Sequence, residues 1–153
     1  MAETPFDLAK AHRWFAVECN NQAWDLYELP QRTAAENERM IHAAHAACFH
    51  WLHAGDDLHH LRAQCLLSSA YAAAGLGKAA VRHAQRCLQL SHTAGDRQTP
   101  FDRATAHGCA AVAYALAGQP AEAGDQRSLA EEAAGQLSAD DRGVFDGLFP
   151  PTS

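Results

Sequence analysis

Ten histidines and five cysteines in 153 residues are the side chains of this sequence best equipped for chemistry. Most of the histidines crowd between His42 and His92. At about 100° per residue, Glu38, His42, His45 and Phe49 share one side of a helix. A Glu-x3-His-x2-His run can set two or three metal ligands together, because i, i+3 and i, i+4 positions are neighbours. Zinc or iron would still need a ligand from another helix, with Glu18, Asp25 or His107 available. The other histidines do not converge on that set. His53 lies too far along the helix axis from His42, at about 1.5 Å per residue, and His50 points away. His59 and His60 fall in the first turn of the next helix, and His83 pairs with Cys87 at i, i+4. Capping, surface and interface roles are the stronger reading; a helical metal-dependent enzyme using Glu38, His42 and His45 is the alternative.

The cysteines, Cys19, Cys48, Cys65, Cys87 and Cys109, fall one in each of the first five predicted helices. An odd count without clustering or CxxC spacing argues against a disulfide framework or a zinc knuckle. They read as small buried hydrophobes. A Cys–His nucleophile would need an exposure that their apolar stripes do not offer. The sequence has no GxSxG, P-loop, GxGxxG or HExxH motif. Nothing in it advertises catalysis, a cofactor or a resident metal.

The positions that hold these side chains are helical throughout. Thr4-Pro5-Phe6-Asp7 starts a helix over about 5–29, with Thr4 as N-cap and Pro5 where no N–H is needed. Thr33-Ala34-Ala35-Glu36 opens a second helix that stops at Gly55, and Asp56-Asp57 caps a third reaching about Ala74. Gly75-Leu76-Gly77 turns into a fourth, which runs to Ala94. A fifth runs over 100–117, a sixth after Gly118-Gln119-Pro120 to about Leu137, and Ser138 caps a short seventh. No stretch alternates like a strand. The first helix carries two apolar stripes, one through Leu8, Ala11, Phe15, Cys19 and Leu26, the other through Trp14, Val17 and Trp24. That pattern predicts cover on two sides.

Length and composition fit one domain with a real core. The hydrophobic fraction is 48%, and much of it is Ala, a strong helix former small enough for close packing. No window approaches the roughly 18 apolar residues of a membrane span, and the N-terminus lacks a signal pattern. The expectation is a cytoplasmic protein with no membrane partner. The net charge of −6 has no dense basic patch. Lys78, Arg82 and Arg86 form one i, i+4, i+8 stripe that reads as a solvated face. Nucleic acid is therefore not an expected partner.

The helices repeat. Leu67, Tyr71, Gly75, Ala80, Ala84 and Cys87 recur as Ala110, Tyr114, Gly118, Ala123, Arg127 and Ala130, and Thr4-Pro5-Phe6-Asp7 returns as Thr99-Pro100-Phe101-Asp102. In each copy the glycine allows a left-handed exit from the helix, and the alanine after it permits a close helix crossing. A repeat of this length marks stacked helix pairs that bury a core only against neighbours. The small-aromatic-Gly-Ala pattern over residues 64–90 and 107–133 resembles the tetratricopeptide repeat (TPR). It departs from that family where an early Trp would stand, at Gln64 and His107, and in lacking the closing Pro.

The resemblance implies an all-α, right-handed TPR-like array in a single domain over 1–153. Its helix pairs would span about 5–54, 57–94 and 100–137, with a capping helix over about 139–149. It further implies a non-catalytic module that binds a peptide or partner helix in the groove lined by the first helix of each pair. By position that groove holds Arg62, Cys65, Ser69, Ala72, Thr105, Gly108, Cys109, Val112 and Leu116. It contains no Lys/Asn-rich clamp for a C-terminal carboxylate. The first helix is a candidate to fill the groove. It is equally a candidate for homodimer contact, through Trp14 and Trp24.

Overall fold

The computed structural model describes residues 3–151, and among them all regular structure is helical. The elements are α1 (Leu8–Tyr27), α2 (Ala34–Ala54), α3 (Asp57–Ala73), α4 (Gly77–Ala94), α5 (Pro100–Leu116), α6 (Pro120–Ala134) and α7 (Ala139–Leu148), with a 3-10 turn at Gly95–Arg97. Local capping chemistry sets most of these boundaries. Thr33 and Glu36 exchange side-chain and backbone hydrogen bonds ahead of α2, and Thr99 and Asp102 do so ahead of α5. Asp56 and His59 make the same reciprocal pair at the start of α3. Ser138 accepts from the Asp141 N–H to open α7.

The first helix departs from its expected start. Asp7, not Thr4, is the N-cap, accepting from the Lys10 N–H at 3.1 Å. The sequence echo with Thr99-Pro100-Phe101-Asp102 is therefore not a structural one. Asp102 is held by an arginine from a neighbouring helix, whereas Asp7 is exposed and free to turn onto the helix end itself. The cover predicted for both stripes of α1 is only partial, with Cys19, Trp24 and Leu26 packed against the core. The helix buries Ala16 and Ala23 completely, while Leu8, Trp14, Phe15 and Val17 remain exposed.

The two recognisable repeats share one turn. At Gly75 (φ +80) and Gly118 (φ +76) the backbone takes the left-handed conformation that favours glycine. The Leu76 N–H donates to Tyr71 O and the Gln119 N–H to Tyr114 O, both at 2.9 Å. These closures turn α3 back along α4 and α5 back along α6. α1 packs on α2, and each pair packs on the next through α2–α3 and α4–α5. α7 folds over α5.

Small side chains let the helices approach closely. Ala80, Ala84, Ala104, Ala110, Ala113 and Ala130 are fully buried in the main cluster. A Cβ on Gly77 would lie 3.1 Å from the Ala117 backbone, so α4 begins against the end of α5. Larger groups come from Leu61 and from Phe145 and Phe149 of the C-terminal helix and its cap. Each of these burials is worth about 1.5–3 kcal/mol.

Candidate partner-binding cleft

The first helices of the second and third pairs, α3 and α5, run beside each other and are tied by one ion pair. Arg62 Nε donates to Asp102 Oδ1 at 2.8 Å and its Nη2 donates to Oδ2 at 3.0 Å. The Asp102 side chain is only 4% exposed while Arg62 is 49% exposed, so the pair spans from core to rim. Burial pushes the Asp102 carboxyl up, but Arg62 together with the Thr99 backbone and hydroxyl holds it below its ordinary range.

Behind the pair the expected groove residues divide. Cys65, Ser69, Thr105, Gly108 and Cys109 are buried, Ala72 and Val112 are half-buried, and Leu116 is exposed. An open groove over all nine positions is therefore not what the chain forms. Its inner part is occupied from within, by Phe149 after α7 and by Tyr27 at the end of α1, which lie together against Ser69, Ala72, Cys109 and Val112. A Cβ at Gly108 would lie 2.7 Å from the Phe149 ring, so the glycine is the seat of that ring. Tyr27 at the end of α1 donates its hydroxyl to Leu148 O at 3.3 Å. Arg127 of α6 donates to Phe149 O at 3.0 Å and Pro150 O at 2.9 Å, holding the end of α7 in place. Val144, Phe145, Leu148 and Phe149 are spaced along one side of α7 and its cap, and the seat of the last of them depends on the one glycine opposite.

What α7 leaves open is a cleft of about 350 Å³, lined by residues of α1, α3, α4, α5 and α7. That volume is at the lower end of small-ligand sites. Trp24 and Asn20 form the α1 wall, Val144 and Leu148 the α7 wall, and Leu61, Cys65, Cys87 and Thr105 the interior, with Arg62 and Asp102 alongside. The lining is mostly apolar, and Val144 is exposed at its edge. Trp24 thus belongs to the cleft, where it also stacks edge-on against Tyr27. The expected grouping of Trp24 with Trp14 on one self-association face does not hold, since Trp14 lies outside on the lining of a separate depression.

Three of the five thiols meet at the base of this region. Each donates to a backbone carbonyl, Cys65 to Thr105 O at 3.7 Å, Cys87 to Leu61 O at 3.4 Å and Cys109 to Ala106 O at 3.3 Å. Contact with these neighbouring thiols and burial together push Cys109 well above its ordinary pKa. All five cysteines are free.

The histidines are distributed over helix interfaces. His45 Nε2 lies 2.8 Å from the Tyr71 hydroxyl, and the His83 ring stacks on Tyr71 with centroids 5.3 Å apart. Burial, then the neighbouring charges of His45 and Arg82, pull His83 down to about 4. At the far end of α1 and α2, His12 Nδ1 lies 2.8 Å from His50 Nδ1 and its ring stacks on His53. Burial and those two histidines lower the pKa of His12. Glu38 and His42 face each other at 3.8 Å on the open surface. His45 is turned from them toward Tyr71, and His107 is engaged by Gln126. The set expected for a metal site is therefore not assembled. Among the described residues no group of three or more His, Cys, Asp or Glu side chains is arranged to hold a metal ion.

Among the described residues no helix is long and apolar enough to cross a membrane. No protein-family model, curated protein or solved structure matches the chain.

Proposed function

We propose that this chain is a non-catalytic, TPR-like interaction module that works in the cytoplasm and holds an apolar anchor of a peptide or partner helix in the cleft between α1, α3, α5 and α7. The carrying observation is the cleft itself, apolar inside and bounded by the exposed Val144. Recognition of this kind sinks one or two apolar side chains into a pocket and uses the rim for orientation. Arg62 suits the rim role, because its Nη1 is left over from the bidentate pair with Asp102. The repeated Gly75 and Gly118 turns support the helical-repeat reading, and five free thiols suit a reducing compartment.

Peptide display on the folded chain tests this reading. Selected peptides should share an apolar anchor and should lose about tenfold or more in affinity for Val144→Glu and Trp24→Ala variants. Peptides that bind both variants as well as wild type would place recognition elsewhere. A selection that yields no binder would count against the module altogether.

A further inference from the structure

Arg62, Asp102 and Glu28 are the charged side chains that line the cleft. The first two cancel, because Arg62 donates to both Asp102 carboxylate oxygens, at 2.8 and 3.0 Å. Glu28 is left over. It is exposed, and its side chain has no ion-pair partner among the described residues. Asn20, Trp24 and Glu28 follow one another at i, i+4 and i+8, so the α1 wall is one stripe that ends in this carboxylate.

Glu28, Val144 and Leu148 also line an adjoining hollow, which places the carboxylate beside the apolar edge of the cleft. The cation of that hollow is Arg32, and its guanidinium is spent on backbone. Nη1 donates to Leu26 O, Tyr27 O and Leu29 O, and Nη2 donates to Ala73 O, so Arg32 caps the C-terminal ends of α1 and α3. Each helix end carries about half a negative charge, and two of them offset one guanidinium. The rim where α1 meets α7 is therefore negative, on a chain whose net charge is −6.

We propose that the cleft selects a peptide or partner helix with a lysine or arginine within one helical turn of its apolar anchor, and that Glu28 reads this positive charge. The inference rests on the reading of the cleft as the partner site. In a helical partner, residues three and four away from the anchor lie on the same side, about 5–6 Å from it. A basic side chain there completes the unpaired carboxylate. An acidic one is repelled, by Glu28 and by the charge of the whole chain. Rim charges of this kind govern encounter and choice of partner more than raw affinity, so the preference is modest and sensitive to salt.

The probe is a pool of synthetic peptides with a fixed leucine anchor. Each position up to about four residues on either side carries lysine, glutamine or glutamate. Wild type should favour lysine over glutamate about fivefold at one or two positions in low salt, and the preference should fade by about 0.5 M salt. Glu28→Gln should remove most of it and Glu28→Lys should invert it. A lysine at a helix C-terminus suits the dipole, so the variant should keep the wild-type circular dichroism. Glu122→Lys, at an exposed position of α6 outside the cleft lining, alters the net charge equally and should leave the preference in place. A wild type without the preference overturns the inference, as does a preference unmoved by Glu28→Lys or moved as far by Glu122→Lys. Trp24→Ala separates this outcome from the cleft reading, since it should weaken all bound peptides about tenfold whatever their flanking charge. Binding that survives Trp24→Ala, or a pool without binders, overturns both readings. Binding that needs Trp24 but ignores the lysine overturns this one alone.

Discussion

His83 Nδ1 lies 2.9 Å from Gln64 Oε1, joining α4 to α3. The same contact recurs one repeat later with its partners exchanged, where His107 Nδ1 lies 2.7 Å from Gln126 Oε1. In both, the ring N–H donates to the amide oxygen across a helix pair, and the imidazole serves as a strut. For His83 the cost of charging that strut is visible in its pKa of about 4 against an ordinary 6.5. The unfolded chain therefore binds the extra proton throughout the interval between those values. Stability from this group is complete above about pH 6.5, declines as pH falls toward 4 and is flat below. Allowing for partial exposure, the loss should be about 2 kcal/mol. Urea unfolding at pH 7 and pH 4.5 measures it, and His83→Gln should flatten that slope. An equal slope in the variant would assign the effect to His12 and His45 instead.

That exchanged pair shows what sequence spacing can and cannot carry. Gln64 and His107 occupy the position where the repeat family places an aromatic, so they read as departures. Their partners His83 and Gln126 lie at the same offset, but a hydrogen bond between unlike side chains leaves no apolar period to follow. Most helix limits other than the start of α1, the Gly75 and Gly118 turns and the Thr33, Asp56 and Ser138 caps were legible because each depends on residues within one turn. The groove was not legible as it stands. Arg62, Cys65 and Thr105 do line the cleft, but the filling of that face by Phe149 depends on a contact between distant helices at Gly108. The two stripes of α1 misled for a related reason. Apolar spacing states that a face is sticky, not whether it is covered by the same chain.

The seat of Phe149 on Gly108 gives the second prediction. Phe149→Ala should cost about 3–5 kcal/mol by leaving a cavity. Gly108→Ala would gain up to about 1 kcal/mol in helix propensity, yet its Cβ would meet the ring at 2.7 Å. The net effect should be a loss of about 1 kcal/mol. In the Phe149→Ala background the clash is gone, so the same glycine change should become neutral or stabilising. A thermal-unfolding cycle over the four proteins decides this. Additive effects would mean that the two residues do not share a seat.

The Arg62–Asp102 pair gives the third. Arg62→Met leaves a buried carboxylate with only its Thr99 contacts and should cost about 2 kcal/mol at pH 7. Asp102 has its folded pKa held below the ordinary 3.8, so its contribution is present above that value and is lost as pH falls below it. The difference between wild type and Arg62→Met should therefore shrink in strong acid. Chemical denaturation at pH 7 and pH 3 checks both the size and the trend. A gap that widens on acidification would contradict the pairing.

The last prediction concerns the thiols and reads the cleft directly. Cys19 and Cys48 are half-buried, whereas Cys65, Cys87 and Cys109 are buried together. Burial raises the pKa of Cys19 and of Cys48, so even the accessible pair should react more slowly with a disulfide reagent than a free thiol. Labelling of the native protein at pH 8, followed by peptide mass analysis, should find Cys19 and Cys48 first and all five only in denaturant. Among the buried three, Cys65 should follow next, because it lies on the cleft wall and keeps 7% of its surface open. A peptide seated in the cleft should slow Cys65 without changing Cys19, which lies outside the lining. Protection of both thiols to the same degree would indicate general tightening of the fold, and protection of neither would put the peptide outside the cleft.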